Sequence, residues 1–260
     1  MSAIHNPASG TTFMLLDTPV ASRKKPMPVI VRAKEGESRL VFTADPVGLP
    51  AEQYRVLRRK LVERYPHGAV VLITSAMPGD GKTLTSTNLA WSFAEGGMPT
   101  LLAEMDLRKP SVAKLLGYSC ESAGIDSLLT GDDEPENILR QVNRMELYVA
   151  AAGRPHSNPV DMITGSRLTS FLAWARQRHQ WIVLDAPPLF PISDSLELSA
   201  LADFTLLVVR ARVTPRIMVE KSIELLGPRL KQVLMNEGTE CTDSAYRYLS
   251  AYYPNVKKKK

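Results

Sequence analysis

The sequence predicts an α/β protein, a doubly wound and mostly parallel sheet with helices on both faces. Three observations predict it. Short apolar runs recur at 69–73, 100–105, 181–184, 204–209 and 232–236, the first of them rich in β-branched residues. Segments with apolar residues at helical spacing lie between them, and repeated strand–helix alternation implies parallel strands joined by crossover helices. Two of the runs close on an aspartate, Asp106 and Asp185, where open α/β sheets bind ligands, beyond the C-terminal ends of their strands.

In chain order, residues 1–48 show little periodicity and are expected to form a flexible leader. It carries several prolines, a basic Arg23-Lys24-Lys25 run, and short strands near 29–31 and 40–42. The folded domain is expected to cover 49–240 and a separate tail 241–260. Residues 51–65 read as a helix on which Glu52, Arg55 and Arg58 fall three apart, on one stripe. Such pairs contribute only about 0.2–0.5 kcal/mol each. Spacing alone favours a solvated charged face over a docking stripe.

The stretch that organises the chain follows. The apolar run Ala69-Val70-Val71-Leu72-Ile73 leads through a loop to Gly81-Lys82-Thr83, and a helix from Lys82 to Glu95 stops at Gly96-Gly97. Strand, glycine loop and helix together are the context of a phosphate-binding loop. Alanine at position 76 replaces the first glycine of G-x-x-x-x-G-K-[ST]. Gly79 and Gly81 still let backbone N–H groups turn toward phosphate oxygens at a helix N-terminus. The loop residues Pro78, Gly79, Asp80, Gly81, Lys82, Thr83 and Leu84 are therefore expected to bind nucleotide, with Lys82 on the β/γ-phosphates and Thr83 on Mg²⁺.

The strand at 100–105 carries Glu104 and closes on Asp106. Short helices are expected at 111–116, 125–129 and 135–142, a weaker strand at 146–150, and helices at 158–163 and 166–178. The run Trp181-Ile182-Val183-Leu184 ends in Asp185, the form of a strand whose carboxylate holds a metal or its water. Ser193-Asp194 is expected to cap a helix through Leu201, and 216–226 to be helical before the final strand at 232–236.

The tail packs Tyr246, Tyr248, Tyr252 and Tyr253, half of the 8 tyrosines, just before Lys257 to Lys260. It reads either as a short docked helix or as an arm whose phenols an active site reaches. Those lysines supply four of the net +5 charges, leaving the rest close to neutral, which argues against a nucleic-acid-binding face. Cys120 and Cys241 lack metal-ligand spacing. No apolar run approaches the ~18 residues of a membrane span. A cytoplasmic protein is expected, with any membrane role borrowed from a partner.

These pieces together resemble the bacterial tyrosine kinases of capsular and exopolysaccharide assembly, P-loop NTPases of Rossmann-like three-layer α/β/α build. The likeness runs from about Glu52 to the C-terminus. Ser75–Thr83 resembles the family's Walker A segment, Leu101–Pro110 its Walker A′, and Ile182–Pro188 its Walker B. Asn158-Pro159 with Asp161 resembles its N-P-x-E segment, with aspartate for glutamate. Where the family has D-x-D, this chain has Glu104 and Asp106.

The resemblance implies MgATP-dependent transfer of phosphate to Tyr246, Tyr248, Tyr252 and Tyr253 of a neighbouring copy. The catalytic residues it implies are Lys82, Glu104, Asp106 and Asp185, with Thr83, Asp106 and Asp185 arranging Mg²⁺. Either Glu104 or Asp106 is the phenol's base. It implies that Glu52, Arg55 and Arg58 dock subunits into a homo-oligomeric ring. Asn236 is carried over from the wider P-loop group as an adenine contact. Implied partners are a membrane-embedded copolymerase activator, which recruits the chain to the inner membrane face, and a phosphotyrosine phosphatase. The alternative is an ATPase switch of the partition and septum-positioning group, or a catalytically weak regulator of export. That group's signature lysine is missing here, its places being Met77 and Pro78.

Overall fold

The computed structural model describes residues 26–29, 31, 39–120, 123–191 and 193–237, with the backbone of 3–6 and 11–14. Tyr246, Tyr248, Tyr252, Tyr253 and Cys241 lie outside the described residues. Strands β1 (Ala3–Asn6) and β2 (Thr11–Met14) form an antiparallel ribbon. The main sheet has 8 strands. They are β3 (Met27–Val29), β4 (Ala69–Ser75), β5 (Thr100–Glu104), β6 (Leu139–Val142), β7 (Leu147–Ala150), β8 (Trp181–Asp185), β9 (Phe204–Arg210) and β10 (Leu230–Asn236). Across the sheet they run β10-β9-β4-β8-β5-β7-β6-β3.

The helices are α1 (Val41–Ala44), α2 (Leu49–Arg64), α3 (Lys82–Glu95), α4 (Val112–Leu116), α5 (Ile125–Thr130), α6 (Pro135–Ile138), α7 (Val160–Thr164), α8 (Ser166–Arg176), α9 (Asp194–Leu201) and α10 (Arg216–Leu226). All sheet pairings are parallel except β6–β7. Strands β4, β5 and β8 are buried along their whole length. Burial on both faces is why they read as continuous apolar runs rather than alternating ones.

One face is covered by α1, α2 and α3. Phe93 of α3 stacks on Trp181 at 4.0 Å between centroids, and stacked aromatic pairs add about 0.5–1.5 kcal/mol beyond burial. Helix α3 is buried continuously from Thr85 to Ala94, because the sheet lies on one side and α2 on the other. The second face is built from α5, α7, α8 and α9 around Leu128, Ile163, Phe171 and Leu198.

Three expectations need correcting. The folded part reaches back before residue 49: β3 pairs with β6, and Leu40 and Phe42 are buried. Residues 41–44 are helical, not a strand, and Phe42 stacks on Trp91 at 6.5 Å. The expected helix 135–142 breaks after Ile138 and becomes β6. The cause is the turn that follows: Met145 N–H donates to Val142 O, and Asn143 and Arg144 have φ of 48° and 55°. That left-handed pair makes the turn suited to a tight antiparallel hairpin.

Candidate active site

The phosphate loop leaves the C-terminal end of β4 and enters α3. Gly79 and Gly81 have φ of +87° and +98°, a region where a side chain is strained. A Cβ on Gly81 would stand 2.1 Å from Asn236 Nδ2. The loop is held from behind by its own aspartate. Asp80 Oδ2 accepts the Met77 N–H at 2.9 Å, its Oδ1 accepts the Thr214 hydroxyl at 2.7 Å, and its carbonyl accepts Asn236 Nδ2 at 2.9 Å. Every polar atom of Asp80's side chain is occupied away from the cavity, so the loop is pre-organised for an anion at the α3 N-terminus.

Sheet register brings the carboxylates to this loop. Asp185 lies level with Ile73 on one side and Glu104 on the other. Lys82 Nζ sits 2.7 Å from Asp106 Oδ2 and 3.3 Å from the Thr83 hydroxyl. Burial alone would lower the Lys82 pKa, but the carboxylates of Asp185, Asp106 and Glu104 reverse the sign and raise it. Its ammonium stays charged. Asp185 is 0% exposed. Burial raises its pKa, against Lys82 and the Thr83 and Ser86 hydroxyls, which hold it down. Ser86 Oγ donates to Asp185 Oδ1 at 2.9 Å, while Oδ2 is buried without a hydrogen-bond partner.

A cavity of about 790 Å³ opens in front of this group, and Pro78, Gly79, Gly81, Lys82, Thr83, Leu84, Asp106 and Asn236 all line it. Asp185 stands behind the lining. No group of three or more His, Cys, Asp or Glu side chains could hold a metal ion alone among the described residues. The donor set nevertheless fits magnesium bound with nucleotide, since that ion takes one or two carboxylates and fills its remaining positions with phosphate oxygens and water. The unpartnered Asp185 Oδ2 beside the Thr83 hydroxyl is the group such an ion or its water would satisfy.

Glu104 does not share this geometry. Its Oε1 accepts the N–H groups of Ser111 and Val112, the latter at 2.8 Å, and its Oε2 accepts that of Ala152 at 3.0 Å. It is 0% exposed and does not line the cavity. Burial pushes its pKa up to about 7 despite those donors. The carboxylate ties the start of α4 to the loop after β7, so of the two expected bases Asp106 is the one that lines the cavity. Asp106 faces the cavity, with its Oδ1 accepting the Lys109 N–H at 3.1 Å.

Asn236 stands at the cavity's edge, but its amide braces Asp80 rather than facing outward. Glu52, Arg55 and Arg58 do share a stripe, and that stripe is occupied within the chain. Arg55 pairs with Glu95 of α3 at 2.6 Å and with Glu52 at 3.4 Å, and Arg58 donates to Ser92 O. Pro159 stands just before α7 and Asp161 in its first turn.

Sequence reasoning missed one pair. Arg108 grips Asp194 through Nε at 2.8 Å and Nη2 at 3.2 Å, and its Nη1 donates to Ser157 O. Asp194 is 2% exposed. This bidentate bond clamps the Asp106 loop to α9, which follows Asp185, and to the loop before Asn158. Ser193, expected to cap α9, makes no side-chain cap bond. An arginine two residues past a strand-end aspartate was the available signal.

No protein-family model matches the chain. The tyrosine-protein kinase YwqD of Bacillus subtilis is 29% identical over 224 residues, 84% of this chain and 93% of that protein. The tyrosine-protein kinase Etk of Escherichia coli K12 is 27% identical over 78% of this chain, which spans only 29% of that longer protein. Among solved structures, the kinase domain of VpsO is 34% identical, with 74% of this chain and 96% of that one covered at a TM-score of 0.67. The cell-division ATPase MinD of Pyrococcus furiosus, at 18% identity, TM-score 0.56 and coverage of 71% of this chain and 80% of that one, shares the fold alone.

Proposed function

The chain belongs to the bacterial tyrosine-protein kinases, and from that premise we propose that it transfers the γ-phosphate of ATP to tyrosines in the C-terminal tail of a neighbouring copy. The observation that carries this reading is the convergence of Lys82, Thr83 and Asp106 on one cavity, with the unpartnered Asp185 oxygen behind it.

Phosphoryl transfer asks a protein for positioning and charge neutralisation more than covalent chemistry. Lys82 and the loop N–H groups stabilise charge on the transferred group. Magnesium, when bound with the nucleotide, neutralises phosphate charge, and Thr83, Asp106 and Asp185 are the residues to arrange it. Lys82 is shared: without nucleotide it neutralises Asp106, and a triphosphate competes for the same ammonium. Asp106 then becomes the carboxylate available to a phenol, whose pKa near 10 makes a proton acceptor useful. The γ-phosphorus–bridging-oxygen bond breaks as the phenol oxygen bonds phosphorus. ADP leaves with the electron pair, and the phenol proton passes to Asp106.

Ring assembly through Glu52, Arg55 and Arg58 requires Arg55 and Arg58 to exchange Glu95 and Ser92 for partners on another subunit, or to present α2 with those bonds intact. A membrane-embedded activator, recruitment to the inner membrane face, a phosphotyrosine phosphatase, and control of exopolysaccharide polymerisation and export complete the proposal. They are supported by the resemblance. Among the described residues no helix is long and apolar enough to cross a membrane.

Incubation with labelled ATP and Mg²⁺ tests the reading. Phosphotyrosine in the wild type that vanishes in Lys82→Met supports a kinase. Nucleotide hydrolysis without phosphotyrosine, even with the activator present, supports a partition-type ATPase instead.

A further inference from the structure

Internal pairs cancel most of the charge around the active-site cavity. Lys82 is matched by Asp106 at 2.7 Å, Arg108 by Asp194 at 2.8 Å, and Arg39 by Glu237 at 3.5 Å. Two further cations line the same cavity, Lys109 and Lys114, both exposed. Neither forms an ion pair among the described residues. Both stand on the wall that carries Asp106. Lys109 donates its backbone N–H to that aspartate at 3.1 Å, and Lys114 lies on α4, which Ser111 ties to the Thr83 hydroxyl at 3.2 Å. Leu115, Pro188 and Pro191 line the cavity with them and offer apolar surface to an aromatic ring.

We infer that this lip selects tyrosines with an acidic residue a few positions before them. The inference rests on the kinase reading and adds its substrate class. The chain's own tail is asymmetric in acidic residues, with Arg247 standing between Tyr246 and Tyr248. Asp243 stands three residues before Tyr246 and Glu240 six before it, whereas Lys257 to Lys260 begin four residues after Tyr253. Phosphorylation therefore begins at Tyr246, which Asp243 precedes and Arg247 only follows, and spreads toward the C-terminus. Each phosphate brings about −1.5 to −2 charge, which gives the next tyrosine the acidic neighbour it lacked. The overall exchange is unchanged: ATP and a tyrosine hydroxyl give ADP, phosphotyrosine and one proton. The lip decides only which tyrosine comes first.

A time course of site-resolved phosphorylation by mass spectrometry tests this on the full chain with MgATP. At the earliest times Tyr246 plus Tyr248 should exceed Tyr252 plus Tyr253 by about threefold to tenfold, the scale of one or two exposed charge contacts. The bias should shrink at high salt, because such contacts are screened. It should flatten or reverse in the double variant Lys109→Glu, Lys114→Glu. The readout is a ratio within one chain, so a change in overall rate does not disturb it. If the double variant fails to fold, acidic-flanked and lysine-flanked tyrosine peptides offered to the wild type give the same comparison, with the acidic peptide expected to be preferred. Equal early rates, Tyr252 or Tyr253 first, or a bias untouched by charge reversal overturns the inference and leaves the kinase reading standing. No phosphotyrosine at any site, with nucleotide still bound, overturns the kinase reading and this inference with it.

Discussion

The cavity's inner wall and its outer lip are built on different rules. On the inner wall and just behind it, nearly every polar group has a fixed partner. Asp80 holds Met77 and Thr214, Lys82 holds Asp106, Arg108 holds Asp194, and Glu104 holds three backbone N–H groups. The buried exception is Asp185 Oδ2, the atom that a nucleotide-bound metal or its water would satisfy. On the lip, Lys109 and Lys114 are exposed and unpaired among the described residues. The difference teaches that the phosphate-handling chemistry is pre-organised by the fold, while choice of acceptor is left to loosely held charge. Substitutions on the wall should change rate or stability; those on the lip should change preference.

Lys82→Met attacks the wall most directly. It removes the cation from two buried carboxylates and from the phosphates, and phosphotyrosine formation should fall by about 100-fold or more, the scale of losing one pre-organised electrostatic contact. Quantitative phosphotyrosine assay checks this. Asp194→Asn or Arg108→Ala breaks the clamp. Arg108→Ala leaves the buried Asp194 unmatched, which costs about 3 kcal/mol and is visible in chemical denaturation; Asp194→Asn costs less, because the Arg108 side chain it leaves is 26% exposed. If the clamp positions Asp106, kcat should also fall more than the KM for ATP rises. Arg108→Lys, which keeps the charge but loses the bidentate bond, should recover stability more than rate.

Glu104, buried behind the wall, offers a pH test of what supports it. Its folded pKa of about 7 lies above the ordinary 4.5, so the folded protein holds this proton more tightly than the unfolded chain. The stability it contributes is full below pH 4.5 and is lost as pH rises through about 7. Glu104→Gln should flatten that part of the Tm–pH profile, while lowering Tm because an amide cannot accept all three N–H bonds. An unchanged slope would remove Glu104 as the titrating group. The smallest stability effect is expected at α2. Arg55→Ala loses partly exposed ion pairs worth about 1 kcal/mol or less. Light scattering on the same variant asks whether the stripe also docks subunits: a smaller assembly supports docking, and an unchanged one leaves Arg55 with Glu95 alone.

Much of the wall could be read from sequence, because its parts follow local rules. Ile73 to Thr83 spells strand, loop and helix within one short stretch. Trp181 to Asp185 is buried on both faces and so reads as an unbroken apolar run. Elements governed by distant partners were less legible. Arg108 and Asp194 lie 86 positions apart, and no local pattern announces their contact. Leu139 and Val142 suit one helix face as well as they suit a strand, and the left-handed turn at Asn143 and Arg144 decides between them. Residues 27–29 and 41–44 are too short to show a period, so their membership of the fold was missed. At Glu104 the sequence records a carboxylate at a strand end but not its backbone donors, Ser111, Val112 and Ala152, which are distant in sequence or set by the loop.

The account stands most directly on transfer between copies. Full-length Lys82→Met chain, unable to handle phosphate itself, is mixed with active chain truncated before Tyr246, and MgATP is added. The account predicts phosphotyrosine on the tail of the Lys82→Met chain. An unmodified tail on that chain, in a mixture whose full-length wild-type control is modified, would contradict it.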